Sequence, residues 1–108
     1  MNITETYKQL VHQVLLADAA AHPPGPTDVQ AIVVADDRQG RYLLLYAGWT
    51  DLDRAHDVVL HLHVAHGQVR VEEDGTEEGI SDALVAAGVA ADAIVLAWQP
   101  RPELRAAA

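Results

Sequence analysis

The chain has no cysteine and no phenylalanine among its 108 residues, and it has no long hydrophobic run. The absence of cysteine excludes disulfides and thiolate metal sites and is compatible with a reducing compartment. No stretch approaches the roughly 20 apolar residues that span a bilayer, and the amino terminus lacks a basic segment followed by an apolar run. These absences predict a cytoplasmic protein without a membrane segment.

Positive charge is also scarce. Lysine and arginine together number 7 against 16 acidic residues, which gives a net charge of -9. The averaged field repels phosphate backbones and anionic lipid, so strong direct binding to nucleic acid is not expected. The acidity serves either solubility alone or the binding of a basic protein partner. Half of the residues are hydrophobic, which is enough for one core, and we assign residues 1–108 to a single domain.

The first part of the chain predicts a helix followed by strands. Apolar residues recur at helical spacing from about Thr4 to Ala20, where polar residues occupy the other side. A proline-rich breaker ends this helix, and the segments that follow alternate or are apolar throughout, as strands do. The predicted strands are Val29–Ala35, Tyr42–Trp49, Val58–Val64 and Val69–Val71. Because the links between them are short, we expect an antiparallel meander.

A second helix is predicted after the fourth strand, from about Glu77 to Ala87. Thr76 stands where a side chain caps a helix, and Glu77 and Glu78 would follow in the first turn, where negative charge is stabilising. Gly88 stands where a left-handed residue ends a helix. Beyond it, Ile94–Trp98 is either a short fifth strand or an extended tail that lies on the domain.

These elements define an α+β fold in which both helices pack on one face of an antiparallel sheet. Val58, Leu60, Leu62 and Val64 are expected to share a face of the third strand. Trp49 and Trp98 are expected in core or lid positions. An open sheet edge favours a homodimer. The predicted core consists of Leu10, Val14, Leu44, Leu60, Leu62, Val69, Ile80 and Leu84.

Two histidines of the third strand are candidates for metal binding. His61 and His63 point to one side of the strand, about 6–7 Å apart, a spacing that can chelate a transition metal. A third ligand would come from His56 or from a carboxylate on a neighbouring strand. The alternative is that both histidines cap the wetter face of the sheet, and the chain has no recognisable zinc motif. We therefore assign neither a metal nor a cofactor.

An acidic group surrounds the predicted strand-to-helix turn: Glu72, Glu73, Asp74, Glu77 and Glu78. Three interpretations of these carboxylates are open. They stabilise the helix start and keep the protein soluble, they form a partner-binding edge, or they perform acid–base chemistry or bind a cation. The spacing lacks the regular oxygen-ligand period of an EF-hand loop. The chain also lacks a nucleophile elbow and a glycine-rich phosphate loop. We assign no catalytic residue.

The same region carries a resemblance to a known family. The string Asp74-Gly75-Thr76-Glu77, a helix that ends in Ala87-Gly88-Val89, and the following Asp92, Ile94, Val95 and Leu96 resemble the signature of the XisI family, the fdxN-element excision controlling factors. Further matching positions lie in order along the chain: Tyr7, Leu10, Val11, Val14, Leu15, Asp28, Val29, Asp36, Tyr42, Gly48, Trp49, His61 and Gly67. His63 and His66 replace the usual aspartates, Ala90 replaces the usual proline, and the tail Pro100–Arg105 resembles the family's tail but stops early.

The resemblance implies an accessory factor of programmed DNA-element excision. Such proteins work beside a site-specific recombinase and a nuclease-like companion, XisH, and the family supplies no catalytic residues. On this basis the five carboxylates Glu72, Glu73, Asp74, Glu77 and Glu78 are predicted to bind the XisH-like protein. The alternative from another class is a small metal-dependent enzyme that uses the strand face of His61 and His63.

Overall fold

An amino-terminal helix packs across one face of a five-stranded sheet in the computed structural model, which describes residues 2–25 and 28–100. Helix α1 (Ile3–Ala21) begins at Asn2, whose Oδ1 accepts a hydrogen bond of 2.9 Å from the amide of Glu5. This side-chain cap satisfies one of the amides that a helix start leaves unpaired. The predicted first helix is confirmed and is one residue longer at each end.

The sheet is a meander with one added strand. Its strands stand in sequence order: β1 (Gln30–Asp36), β2 (Arg41–Trp49), β3 (Arg54–Ala65), β4 (Gln68–Asp74) and β5 (Ile94–Leu96). The first four pair antiparallel, and β5 pairs parallel to β4 after a crossover through helix α2 (Ser81–Ala87). The α+β fold and the four-stranded meander are confirmed, and the segment after Gly88 forms the short fifth strand.

Two tight turns fix the hairpins of the meander. In the first, the Oδ1 of Asp36 accepts hydrogen bonds from the amides of Arg38 and Gln39 at 3.0 and 3.1 Å. The second consists of His66 and Gly67, which both have positive φ, 54° and 72°. Positive φ at both positions is typical of the two-residue turn that matches the twist of paired strands. The predicted His66-Gly67 hairpin is confirmed.

The core lies between the two helices and the inner face of the sheet. The predicted core residues are buried, except Leu10, which is half-buried and packs against the core from α1. Leu10 lies at the contact between the helices, since its Cδ1 would be 3.4 Å from a Cβ built on Gly88. The buried side chains are Tyr7, Val11, Val14, Leu15, Tyr42, Leu44, Leu60, Leu62, Val64, Val69, Val71, Ile80, Leu84 and Val89.

Helix α2 begins later than the sequence pattern predicts. It starts at Ser81, so Glu77 and Glu78 precede the helix instead of lying in its first turn, and Thr76 is not its cap. The prediction was wrong because the carboxylate of Asp74 binds the intervening backbone in a non-helical loop. Gly79 within that loop has a φ of 80°, which is outside the helical region. The predicted end of the helix at Gly88, with a φ of 120°, is confirmed.

Two irregularities in strand pairing, an extra residue at Val59 in β3 and another at Glu72 in β4, change which side chains face outward. Leu44 lies opposite Leu60 but Leu45 lies opposite Val58, so Val59 is an extra residue in β3. Such a bulge reverses the alternation of faces along the strand. Val58 is therefore 45% exposed, and Val59 packs against the core. The prediction that Val58 shares the face of Leu60 was wrong for this reason.

The two tryptophans are exposed, so their predicted core or lid positions were wrong. Trp49 is 54% exposed at the last position of β2, beside the polar bend, and the guanidinium of Arg54 lies 5.9 Å from the centroid of its ring. Trp98 is 55% exposed in the turn after β5. Neither position is covered by the helices that bury the centre of the sheet.

The face of the sheet opposite the helices, the outer face, mixes apolar and charged side chains. Ile32, Val34, Leu43, Leu45 and Val58 form its apolar half, and Arg41, His61, His63, Arg70, Glu72 and Glu73 form its polar half. Within residues 2–25 and 28–100, no helix is long and apolar enough to cross a membrane. The predicted family-like tail beyond Pro100 lies outside the described residues.

Candidate partner-binding site

The segment Glu72–Glu78, here called the acidic loop, consists of the end of β4 and the connection that follows it, and one carboxylate organises it. Oδ1 of Asp74 accepts hydrogen bonds from the amide and the hydroxyl of Thr76, and its Oδ2 accepts a bond of 2.8 Å from the amide of Ile80. The amide of Gly75 donates to the carbonyl of Val59 at 2.7 Å. These bonds tie the loop to β3 and to the start of α2, so its backbone is fixed at both ends.

The five carboxylates predicted to bind a partner have different surroundings. Asp74 is half-buried, and both of its oxygens accept internal hydrogen bonds. Glu72 is half-buried beside two guanidiniums, with its Oε1 2.9 Å from Nε of Arg70 and 3.9 Å from Nη1 of Arg41. The side chains of Asp74 and Glu72 therefore have partners within the chain and stabilise its fold.

The other three carboxylates of the acidic loop are open to solvent. The side chains of Glu73, Glu77 and Glu78 are exposed, and none of the three side chains forms a hydrogen bond or an ion pair with another described residue. Asp82, in the first turn of α2 and four residues after Glu78, is a fourth exposed acid. Sequence reasoning missed Asp82 because it placed the helix start at Glu77. The acidic loop thus presents three exposed carboxylates that have no ion pair with another described residue.

The two strand histidines do lie side by side on the outer face, as predicted. Nε2 of His61 is 3.3 Å from Nη1 of Arg41. Partial burial lowers the pKa of both His61 and His63, and the nearby charge of Arg41 lowers it further, whereas Glu72 opposes the shift. Both effects favour the neutral imidazole.

The surroundings of these histidines are unfavourable for a cation. Arg41 lies opposite His63 on β2, and Arg70 lies opposite His63 on β4, so two fixed positive charges flank the pair. His56 lies five residues along β3, roughly 16 Å from His61 at the rise of a strand. No group of three metal-binding side chains occurs among the described residues. The sequence did not predict that Arg41 and Arg70 lie beside these histidines, because their positions depend on the strand register.

Several residues of the family-like pattern have structural contacts. The hydroxyl of Tyr7 accepts a hydrogen bond of 3.2 Å from the amide of Ala90, which joins α1 to the segment before β5. The hydroxyl of Tyr42 donates to Oδ1 of Asp37 at 2.7 Å, and burial together with this bond raises the pKa of Tyr42. A Cβ on Gly48 would lie 2.1 Å from the carbonyl oxygen of Asp28, so only glycine fits there. These residues specify the fold.

Comparison with known proteins identifies the family. A family model described as XisI protein matches residues 1–107. The chain belongs to the XisI family. The resemblance predicted from the acidic loop and its flanking positions is therefore confirmed. Among curated proteins, none matches the chain.

Two solved structures are similar to this XisI-family chain. A XisI-like protein from Anabaena variabilis ATCC 29413 is 26% identical, with a TM-score of 0.81 over 90% of this chain and 88% of that one. The fdxN element excision controlling factor XisI from the same organism is 24% identical, with a TM-score of 0.76 over 96% of this chain and 99% of that one. This chain thus shares its fold with both structures.

Proposed function

We propose that this XisI-family chain is a non-catalytic accessory factor that controls excision of a DNA element. Its companion is an XisH-like, nuclease-type protein that works beside a site-specific recombinase in the cytoplasm. Family membership and the similarity to an excision controlling factor support the excision-control part of the proposal. The contact with the XisH-like protein is supported by the charge and geometry of the acidic loop.

The observation that carries the proposal is the set of three exposed, unpaired carboxylates Glu73, Glu77 and Glu78. They extend from a backbone that Asp74 holds through hydrogen bonds to Thr76 and Ile80. Because the loop is already ordered, a partner that binds these carboxylates loses little free energy in ordering it. A pre-formed acidic surface of this kind binds a basic surface.

The proposed companion supplies a basic surface for a chemical reason. A cleft that cleaves DNA attracts phosphate and must therefore carry positive charge. This chain, with a net charge of -9, is repelled by DNA and attracted to such a cleft. Opposite fields also accelerate the encounter of the two proteins at low salt. The acidic loop would then occupy or border the cleft of the XisH-like protein.

Co-purification with the XisH-like protein tests the proposal. We expect the wild-type chain to bind it at low salt and to bind more weakly at high salt, because ions screen the exposed charges. Changing Glu73, Glu77 and Glu78 together to lysine should weaken binding by at least about tenfold, since three attractions become repulsions. Unchanged binding by the triple variant would remove the acidic loop from the proposal, and no binding by the wild type would remove the partner.

A matched control separates the acidic loop from net charge. Asp28, Asp51 and Asp53 are exposed before β1 and in the bend between β2 and β3, away from the acidic loop, which bonds to β3 at Val59. Their joint replacement by lysine changes the net charge by the same amount. Binding that survives in this control and fails in the loop variant would assign the contact to Glu73, Glu77 and Glu78. An equal loss in both variants would show that net charge alone is responsible.

A further inference from the structure

The two edges of the sheet differ in how they are protected against another strand. β5 forms one edge and is only three residues long. β1 (Gln30–Asp36) forms the other edge and presents seven residues. An open edge strand has unpaired amide and carbonyl groups that can pair with another chain, and native proteins usually block it with short length, lysine, proline or a bulge.

β1 has none of these protective features. Between Gln30 and Ala35 it contains no proline and no charged residue. Its seven pairs with β2 run in unbroken register, whereas both bulges of the sheet lie in the β2–β3 and β3–β4 ladders. Among the described elements, only β2 pairs with β1. The long edge is regular and has no bulge, which is the form that accepts a further strand.

The side chains of β1 on the outer face are apolar and exposed. Ile32 is 37% exposed and Val34 is 41% exposed, and their neighbours on β2 are Leu45 and Leu43. Adjacent branched side chains at a sheet edge are unfavourable when they are exposed to water. In a strand pair they contact branched side chains across the ladder, which is favourable. The edge therefore has both unpaired backbone and an apolar surface.

We infer that β1 pairs antiparallel with β1 of a second copy of this chain about a two-fold axis at Val33. In this register Ile32 lies opposite Val34 of the second copy, and Gln30 lies opposite its Asp36. The arrangement joins apolar side chains and places no like charges opposite each other. The result is a continuous ten-stranded sheet with the helices of both copies on the same face. This inference is independent of the proposed function.

Charge selects β1 for contact between copies. Each chain carries a net charge of -9, so two copies repel each other wherever acidic side chains meet. β1 has a single acidic residue, Asp36, whose Oδ1 accepts hydrogen bonds from the turn amides of Arg38 and Gln39 and whose Oδ2 accepts one from the side chain of Gln39. At this edge two acidic chains can therefore approach each other with little electrostatic repulsion. Added salt should strengthen this association, opposite to its effect on a complex with a basic partner.

Light scattering of the full chain across a concentration series tests the inference. We expect the wild type to reach twice the mass of one chain and to dimerise at lower concentration as salt is added. The double variant Ile32→Lys with Val34→Lys should stay monomeric with an unchanged circular dichroism spectrum. Lysine reduces the net negative charge, so loss of the dimer in this variant would not come from greater overall repulsion.

Val58→Lys is the matched control, because Val58 is similarly exposed on the outer face but lies on the internal strand β3. This variant should dimerise as the wild type does. A wild type that remains monomeric at its highest soluble concentration in high salt would overturn the inference. So would a double lysine variant that still dimerises, or a Val58→Lys variant that dissociates equally.

Engineered cysteines test the register without adding charge, since the chain has no cysteine of its own. A mixture of the Ile32→Cys and Val34→Cys proteins should form a mixed disulfide on mild oxidation, because these positions lie opposite each other in the proposed pair. Each variant alone should form far less disulfide. Equal yields in the mixture and in the single variants, or no disulfide at all, would contradict the pairing about Val33.

Discussion

The inner and outer faces of the sheet differ in what their side chains contact. On the inner face, Leu44, Leu60 and Leu62 are fully buried beneath the two helices. On the outer face, Ile32 and Val34 remain more than one-third exposed. Because side chains alternate along a strand, each strand has residues whose identity is constrained by packing in the core and residues that packing does not constrain.

The largest expected difference between the faces concerns core packing in β3. Leu60→Ala should lower the free energy of unfolding by about 2–5 kcal/mol, because it removes a fully buried side chain and leaves a cavity. Val58→Ala, two positions earlier on the outer face, should cost less than about 1 kcal/mol. Urea denaturation of both variants measures the difference. Similar losses would show that the bulge at Val59 does not separate their environments.

A smaller difference is expected between two neighbouring acids of β4. Asp74→Ala should lower the free energy of unfolding by about 2 kcal/mol, because the amides of Thr76 and Ile80 lose a charged acceptor. Glu73→Ala should change stability by no more than about 0.5 kcal/mol, since Glu73 is exposed. Thermal and chemical unfolding compare the two. A Glu73 variant as unstable as the Asp74 variant would contradict the division of the acidic loop into structural and free carboxylates.

The smallest effect concerns the pH dependence set by the outer-face histidines. Because folding lowers the pKa of His61 and His63 below the ordinary value of 6.5, the unfolded chain binds more protons near that pH. The free energy of unfolding should therefore fall as pH falls through about 6.5. Replacing both histidines by glutamine should flatten this slope in urea titrations at several pH values. A slope that steepens or stays unchanged would assign the dependence to other groups.

The comparison of faces also shows which features the sequence could predict. Helix α1 and the four-stranded order followed from hydrophobic period and short turns, and those signals are local. The start of α2 did not, because it depends on the carboxylate of Asp74 reaching six residues forward to the amide of Ile80. The face of Val58 depends on a bulge in the pairing of β3 with β2. Bulges are set by partners across the sheet and leave no period in one strand.

The candidate site shows the same limit. The acidic composition of Glu72–Glu78 was visible in the sequence, and the string Asp74–Glu77 with its flanking positions carried the family resemblance. The difference between Glu72, paired with Arg70, and the free Glu73 was not visible, because it depends on strand register and on the extra residue at Glu72. The same register brings Arg41 beside His61. Contacts between distant positions therefore decide which polar residues remain free to bind.

Hydrogen exchange of this chain with and without the proposed XisH-like partner tests the central claim most directly. Within the part of the chain that the structure describes, the amides of Glu77, Glu78 and Gly79 donate no hydrogen bond, so they should exchange rapidly in the free protein. We predict that the partner slows exchange across Glu73–Gly79 and leaves the middle of α1 unchanged. Slowed exchange confined to β1 or to the apolar half of the outer face, with the acidic loop still exchanging rapidly, would contradict the claim that Glu73, Glu77 and Glu78 bind the partner.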